Sequence, residues 1–469
     1  MPRRRHKNPC YIDDVQATNE VLTSRAGLNL FARYLRGIEI DQHIDRMFAP
    51  MRKNPKGAPI RELFKQMLCF LFDGTSKHLA HFDVVAKDSG YAAAIESPLS
   101  AMVSSDTVRR FLNAFSWRRT ALLRSLLMRL FLWRLRIRNP NVIVLGLDTM
   151  VMDNDDAVKR EGVKPTYKKV LGFAPLQMTW GRYIVDAIFR HGDTHSNHGQ
   201  DAIKILRHAV RMIRKHFSPT VPIIVRMDSG FCDQKIFKEL ETLGVGYVCG
   251  GKFQADVKAL VDSIPDSACQ NHYGKCDEDI WQYAEFADRR QSWDKFRRVV
   301  FWRALLQEKR LFLPCCRPGT FVYTNLGMGD AGGGIDQQLR DAGLDVMTCS
   351  EAVIQAYHER GTDELVHRSF KDFGFEELPF TRYAPNRALY HIMLIGFFLF
   401  EAFKEDVSSP TVPISAFPTT LRRKVVDVAA KIVRHAGRSI LKVATFTLEA
   451  LRFKELWIRA LQPPKLSWS

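Results

Sequence analysis

The chain has 469 residues, of which 46% are hydrophobic and 26% charged, and its formal net charge is +18. This length predicts two or three domains around a substantial core, and the composition excludes an intrinsically disordered protein. The large positive charge favours a polyanionic partner such as a nucleic acid.

The charge is unevenly distributed along the chain. It is +12 over residues 1–140, −1 over residues 141–384 and +7 over residues 385–469. Two basic ends around a near-neutral middle fit binding regions that flank a distinct core. The nine cysteines include no C-x-x-C pair, so the spacing excludes a zinc ribbon and favours reduced thiols. No secretory signal or bilayer-length apolar segment is evident, and we expect a soluble cytoplasmic protein.

Residues 1–140 are predicted to form a helical DNA-binding region. Apolar residues recur at three- and four-residue spacing over residues 60–72 and 121–137. Between them, the polar residues 104–106 are typical of an N-cap that opens a basic amphipathic helix carrying Arg109 and Arg110. That helix either lies against DNA, as in a helix-turn-helix protein, or is a packing helix with a solvated face. The pattern leaves both alternatives open.

Residues 141–251 are predicted to form the first part of a mixed α/β core. Apolar, β-branched runs predict strands over residues 142–147, 173–179, 183–189, 222–227 and 246–250. Helical periodicity predicts helices over residues 200–216 and 234–243. Neighbouring strands followed by alternating helices and strands are typical of a mixed α/β sheet.

Residues 252–345 are predicted to be a mostly β insertion into this core. They contain Trp281, Trp293, Trp302 and short strand-like runs at residues 298–302 and 320–324. The glycine-rich residues 327–334 lack the ending of a phosphate-binding loop and are interpreted as a flexible connector. Helices then return, with residues 346–384 completing the core and residues 385–469 forming a basic helical C-terminal region.

Two aspartates directly follow predicted core strands. Asp148 comes after the strand at residues 142–147, and Asp228 after the strand at residues 222–227. Magnesium binds carboxylate oxygens held on a rigid frame, so this pair is a candidate metal site. Each aspartate alone also has a simpler interpretation, because aspartate commonly ends strands and caps helices.

Four polar residues follow one another at helical spacing further along the chain. Tyr357, Arg360, Glu364 and Lys371 lie within a predicted helix over residues 350–373, at offsets of three, four and seven. These offsets place them on one helix face, where a carboxylate can bind a metal and the cations can bind phosphates. On spacing alone, a surface helix with an Arg360–Glu364 ion pair is the favoured interpretation.

The order Tyr357-x2-Arg360-x3-Glu364-x6-Lys371 resembles the Y-(2)-R-(3)-E-(6)-K signature of DDE transposases from bacterial insertion sequences. The resemblance is to the branch that moves by cut-and-paste through DNA hairpins, and residues 146–149 and 226–231 share it. It implies a ribonuclease-H-like core in which Asp148, Asp228 and Glu364 hold two Mg²⁺ ions, with Mn²⁺ able to substitute. It further implies that Tyr357, Arg360 and Lys371 contact the backbone of the transposon end.

The resemblance also implies partners and a location. These are double-stranded DNA, as terminal inverted repeats and as target, a second copy of the chain in the DNA complex, and the bacterial nucleoid. Apolar helices expected at residues 425–433 and 441–451 could mediate the dimer or simply pack. Two other functions are weighed: a catalytically inactive or domesticated DNA-binding relative, and a structure-directed nuclease of the same fold.

Three other groups of residues could be mistaken for functional sites. Asp153, Asp155 and Asp156 lack the remaining ligands of a calcium loop and are expected on the surface. The histidines at positions 191, 195 and 198 fit loop and capping roles better than metal binding. One of the three insertion tryptophans could hold an unstacked base, although core packing is the default expectation for each.

Overall fold

The computed structural model describes residues 12, 14–51, 57–157, 159–195, 199–273, 280–307, 310–311 and 319–466. Cys10, His198, Cys276, Cys315 and Cys316 lie outside the described residues. The five described cysteines are free thiols: Cys69, Cys232, Cys249, Cys269 and Cys349.

The described α-helices are concentrated in the N-terminal and C-terminal thirds of the chain. In chain order they are α1 (Leu28–Gly37), α2 (Ile40–Phe48), α3 (Ile60–Asp73), α4 (Phe82–Val85), α5 (Ser89–Ala94), α6 (Ser105–Asn113), α7 (Trp117–Arg138), α8 (Asp201–His216), α9 (Gln234–Thr242), α10 (Ala255–Asp262), α11 (Ile335–Asp341), α12 (Ser350–His358), α13 (Gly361–Phe373), α14 (Tyr383–Phe403), α15 (Pro418–Leu421), α16 (Thr445–Ala450) and α17 (Phe453–Leu461).

The described strands lie mostly in the middle of the chain. They are β1 (Val21–Thr23), β2 (Ile143–Thr149), β3 (Met152–Asp153), β4 (Lys164–Pro165), β5 (Leu171–Phe173), β6 (Leu176–Trp180), β7 (Tyr183–Ile188), β8 (Ile223–Met227), β9 (Gly246–Gly250), β10 (Gln270–Tyr273), β11 (Ile280–Asp288), β12 (Arg297–Gln307), β13 (Arg310–Leu311), β14 (Gly319–Thr324), β15 (Ala430–His435) and β16 (Arg438–Val443).

One large mixed sheet organises the middle of the chain. Its strand order is β10-β11-β12-β14-β9-β8-β2-β6-β7, with β13 paired to β12. Strands β2, β8 and β9 are parallel neighbours, and the other pairs are antiparallel. The fold is therefore mixed α/β. Strands β11, β12 and β14 from the predicted insertion extend the same sheet instead of forming a second one, and α10 and α11 accompany them.

Alternating residues of the sheet belong to two separate apolar clusters. Along β12, Val299 and Phe301 pack in the larger cluster, whereas Val300 and Trp302 pack in the smaller one. The same alternation occurs in β8, β9 and β14, as the two-residue period of a strand requires. The smaller cluster also includes residues of α11 and α12, so α12 packs against the face of the sheet opposite the main core.

The two basic ends of the chain pack together. Strand β1 pairs with β15, Val21 opposite Ile432, and α1 packs against α17. The centre of this body is α14, which packs against α3, α7 and β7 and is buried over most of its length. Regions far apart in sequence therefore form one basic, largely helical body beside the sheet.

Three expectations from sequence patterns need correction. Residues 425–433 and 441–451 are not two continuous apolar helices, because β15 and β16 form a hairpin over residues 430–443, and the second range is helical over the short α16, Thr445–Ala450. β-Branched side chains favour strands, and the turn residues Ala436 and Gly437 both adopt positive φ, as two-residue hairpin turns require. Residues 173–179 contain two strands, β5 and β6, separated at Ala174-Pro175. The glycine-rich residues 327–334 are not a free connector, since the buried Asp336 accepts hydrogen bonds from the N–H groups of Gly327 and Gly329.

Candidate active site

Asp148 and Asp228 lie at the same edge of the sheet, at the carboxyl ends of two paired parallel strands. Leu147 of β2 is in register with Met227 of β8, so the next residue of each strand is an aspartate. Asp148 Oδ1 accepts the N–H of Thr149 at 2.7 Å. Asp228 caps the following turn, because its Oδ1 accepts the N–H of Gly230 at 2.8 Å. The structure therefore brings the two predicted carboxylates together on rigid backbone.

The two carboxylates are electrostatically coupled. Burial, and then the charge of Asp228, raise the pKa of Asp148 to about 7. The N–H of Thr149 and the Arg360 guanidinium lower this pKa, but they do not bring it back to its ordinary value of 3.8. A pair of neighbouring, partly desolvated carboxylates has a charge that a divalent cation would neutralise.

The segment with the four polar residues is two helices and not the single predicted helix. Tyr357 is near the end of α12, Arg360 lies in the junction, and Glu364 and Lys371 belong to α13. At the junction the N–H of Arg360 donates to the Tyr357 carbonyl at 3.0 Å, a three-residue bond that replaces the α-helical one. Arg226, from β8, contacts the Ala356 carbonyl at 3.4 Å, so the break coincides with a contact from the sheet.

Asp363 fixes α13 on the sheet directly beside the third predicted acid. Its side chain is 3% exposed, accepts the Thr179 hydroxyl at 2.8 Å and lies 3.4 Å from the Arg226 guanidinium. Gly146 of β2 makes room for it, because a Cβ there would be 2.5 Å from Asp363 Oδ2. Neighbouring carboxylates on α13 therefore face in different directions: Asp363 into the sheet, and Glu364, with its side chain 65% exposed, into solvent.

Arg360 lies among the three predicted acids. Its guanidinium stacks 5.6 Å from the Tyr357 ring centroid and is 3.9 Å from Glu364 Oε1. Burial lowers the pKa of Arg360, but Tyr357, Asp148, Asp228 and Glu364 together outweigh it and raise that pKa. Tyr357 in turn packs over Gly250 at the end of β9, where a Cβ would be 2.6 Å from the phenol oxygen. Tyr357 and Arg360 thus lie beside the aspartate pair, and Glu364 lies next to Arg360.

The three carboxylates suit a hard cation by their chemistry, although they are not gathered into one group. Within the described part of the chain, no three His, Cys, Asp or Glu side chains are grouped closely enough to hold a metal. All three candidate donors are carboxylate oxygens, which Mg²⁺ and Mn²⁺ prefer. Burial, and then the neighbouring charge of Asp228, raise the pKa of Asp148, and a bound cation would favour its ionised form. The residues therefore fit a divalent ion, provided that Glu364 turns from Arg360 towards the aspartates.

Two further side chains reach this site without having been predicted. His367, one turn after Glu364, places Nδ1 3.8 Å from Asp148 Oδ2, and burial lowers its pKa to about 4. Its buried Nε2 has no hydrogen-bond partner among the described residues. Tyr167 donates its hydroxyl to the Thr149 carbonyl at 3.2 Å, and burial and the three acids raise its pKa to about 12. Helical spacing from Glu364 could have indicated His367, whereas no local pattern indicates Tyr167.

The remaining residues predicted to contact DNA have no described contact with the three carboxylates. Lys371 pairs with Glu376, and its carbonyl accepts Lys77 Nζ at 3.3 Å. Arg109 and Arg110 are exposed on α6, which packs against α14, and no described contact links them to the carboxylates. Arg110 contacts its own helix, at the Asp106 carbonyl and the Thr107 hydroxyl.

The tryptophans, histidines and aspartates that could be mistaken for functional sites pack against other side chains or lie at the surface. Trp293 and Trp302 are buried in the core, and Trp281 stacks on His272. His191 bridges to Phe173 and contacts the Tyr383 ring. Asp155 and Asp156 are exposed, and Asp153 is partly buried. Within the described residues, no helix has the length and apolarity needed to cross a membrane.

The comparisons with known proteins define the family. The family model described as "Transposase DDE domain group 1" matches residues 14–463, which is nearly the whole chain. The chain belongs to this family of DDE transposases, and its class is therefore that of transposase enzymes.

The other comparisons add little. No curated protein matches the chain. Among solved structures, it is similar to a cryo-EM structure of the piggyBac transposase synaptic complex with hairpin DNA, with 12% sequence identity over 85% of this chain and 80% of that one. The TM-score of this match is 0.40.

Proposed function

We propose that the chain is a metal-dependent DNA transposase that cuts phosphodiester bonds at transposon ends and joins the freed ends to target DNA. The observation that carries the proposal is the placement of Asp148 and Asp228 on adjacent parallel strand ends, with Arg360 and Glu364 of the α12–α13 segment beside them. The proposal includes a ribonuclease-H-like core, an origin in a bacterial insertion sequence and the hairpin-forming branch of the family.

Asp148, Asp228 and Glu364 are proposed to hold the ions. Bound Mg²⁺ or Mn²⁺ would activate the attacking oxygen and stabilise the departing 3′ oxygen of an in-line phosphoryl displacement. Asp148 and Asp228 are held in place by their strands and by the N–H groups of Thr149 and Gly230. Glu364 projects from a helix that Asp363 docks on the sheet, so it can move as a side chain while its backbone stays fixed.

The cationic side chains of the site are proposed to bind the DNA backbone. Arg360 is held by the Tyr357 ring and lies near all three acids, so its guanidinium can bind a phosphate presented to them. Glu364 is its ion-pair partner at 3.9 Å, and movement of Glu364 towards the aspartates would release Arg360 for that contact. Lys371 is proposed to contact the backbone further along α13.

We expect the purified chain to cut duplexes that carry the DNA flanking its own coding sequence. Mg²⁺ or Mn²⁺ should give nicks at fixed positions followed by hairpin ends, and a chelator should abolish both products. Mapping the nicks and hairpins on sequencing gels measures this. Binding without cleavage in either metal would instead identify an inactive DNA-binding relative. Cleavage that follows branched structure regardless of sequence would identify a structure-directed nuclease.

We also propose that two copies of the chain assemble on DNA, because a cut-and-paste reaction must hold two ends together. Sedimentation of the protein with and without end duplexes tests this, and a dimer is expected in the DNA complex. A complex containing a single protein chain at saturating DNA would refute it.

A further inference from the structure

The hairpin of β15 and β16 is a two-stranded ribbon whose outer half pairs with no third described strand. Strand β1 pairs only with residues 430–432 of β15. From the pair Val433–Ile440 outwards, the two strands have only each other as neighbours among the described strands. The turn at Ala436-Gly437, with φ of 48° and 73°, closes the ribbon tightly. With a rise of about 3.4 Å per residue, strands of this length extend roughly 20 Å.

The ribbon is basic and contains no acid. Residues 428–448 include Lys431, Arg434, Arg438 and Lys442, together with His435, and no Asp or Glu. Lys431 pairs with Glu20. Arg434, Arg438 and Lys442 are exposed, and none of them forms an ion pair within the described part of the chain.

The register places basic residues directly opposite each other. Lys431 is across from Lys442, and His435 is across from Arg438. Glu20 offsets the charge of Lys431, whereas Lys442 and Arg438 have no acid opposite them in the ribbon. A polyanion lying along the ribbon would supply their counter-charge.

The stem of the ribbon, residues 419–427 just before β15, is attached to α13, the helix that carries Glu364. The Arg422 guanidinium donates to the Phe72 carbonyl and to the carbonyl of Phe373, the last residue of α13, at 3.0 and 2.8 Å. The Thr419 N–H donates to Asp372 of α13 at 2.9 Å. Just before the ribbon, Asp427 pairs with Arg25. The ribbon is thus anchored at its stem to the element that positions the third acid.

We propose that the β15–β16 ribbon is a binding surface for duplex DNA, with Arg434, Arg438 and Lys442 neutralising phosphates. The major groove, about 12 Å wide, admits a two-stranded ribbon of this kind. The inference rests on the proposed function in one respect: DNA held by the ribbon is taken to be the DNA presented to the carboxylates. The stem contacts would then set the register between the bound duplex and α13.

The test is the salt dependence of binding to a short duplex of arbitrary sequence. The variant is Arg434→Ala/Arg438→Ala/Lys442→Ala, and the matched control is Lys215→Ala/Lys258→Ala/Arg340→Ala, which removes three exposed cations from helices elsewhere in the chain. The slope of log affinity against log salt should fall by about 2 to 3 in the ribbon variant, since each lost phosphate contact contributes about 0.9. The control should keep the wild-type slope.

A second variant, Arg434→Lys/Arg438→Lys, keeps the charge and should bind with nearly the wild-type slope. Melting temperatures identify any variant that fails to fold. Equal binding by the ribbon variant and wild type, or equal loss in variant and control, would overturn the inference. So would ribbon-dependent binding to phosphatidylserine vesicles without binding to the duplex. Wild-type cleavage, measured in parallel, reports on the proposed function separately, because the binding assay needs neither metal nor catalysis.

Discussion

Replacement of Glu364 by glutamine is expected to reduce DNA cleavage by at least about a thousandfold without unfolding the protein. The carboxylate is proposed to complete the metal site, and loss of one member of a catalytic unit removes most of its effect. The side chain is 65% exposed, and its described contact is the 3.9 Å approach to Arg360. The glutamine variant should therefore melt within a degree or two of wild type and still bind end duplexes.

Asp363, the neighbouring carboxylate, serves as the control, because its replacement is expected to lower stability and to leave cleavage intact. Asp363→Asn keeps the size of the side chain but removes the buried charged partner of the Arg226 guanidinium and leaves it the half-exposed Glu359, 3.5 Å away. Breaking a fully buried pair costs about 3–5 kcal/mol, so with Glu359 still in place we expect a loss of no more than about 3 kcal/mol and a clear fall in melting temperature. Below that temperature, cleavage should persist. Retained cleavage in Glu364→Gln, with folding intact, would remove Glu364 from the catalytic set and leave only the aspartate pair.

Replacement of Asp148 by asparagine is expected to stabilise the metal-free protein above pH 7. The pKa of Asp148 is about 7 in the folded chain and 3.8 ordinarily. Between these values the folded state retains a proton that the unfolded chain has released, so the free energy of unfolding falls as pH rises from about 4 to about 7. Asparagine removes this dependence. The gain should reach up to about 4 kcal/mol above pH 7 and vanish below pH 4.

Divalent ions should narrow that difference. Mg²⁺ or Mn²⁺ that binds only the folded wild type would stabilise it by about 2.7 kcal/mol at a hundredfold excess over the Kd, and should have little effect on Asp148→Asn. Thermal melting across pH, with chelator or metal, measures both effects, and Asp156→Asn serves as an exposed-carboxylate control. An equal metal response in wild type and Asp148→Asn would count against a site at these strand ends.

The aspartate pair could be predicted from the sequence because its geometry follows from local patterns. Residues 142–147 and 222–227 are apolar and rich in β-branched side chains, and the structure has strands β2 and β8 there. Parallel strands bring their carboxyl ends together, so aspartates just after two such strands become neighbours without any long-range information. The same patterns predicted α3, α7 and α8 to within a few residues.

The parts that could not be predicted depend on contacts between distant segments. The helical pattern runs through residues 350–373, and the break at the Arg360 junction coincides with a contact from Arg226, about 130 residues earlier. The approach of Tyr167 to Thr149 likewise depends on how a loop folds back over β2. The sequence of the C-terminal hairpin predicts helix because its apolar runs are short. Short runs do not distinguish the 3.6-residue period of a helix from the two-residue period of a strand.

The pairing of β1 with β15 has a consequence for how the chain acquires its fold. Val21 and Ile432 are separated by some four hundred residues, yet they are neighbours in one small sheet. During synthesis the N-terminal helices emerge first but must wait for α14, β15 and α17 before their apolar faces are covered. Contacts of such high sequence separation form slowly. The basic body is thus completed last, and a prematurely terminated chain would lack the half that closes it.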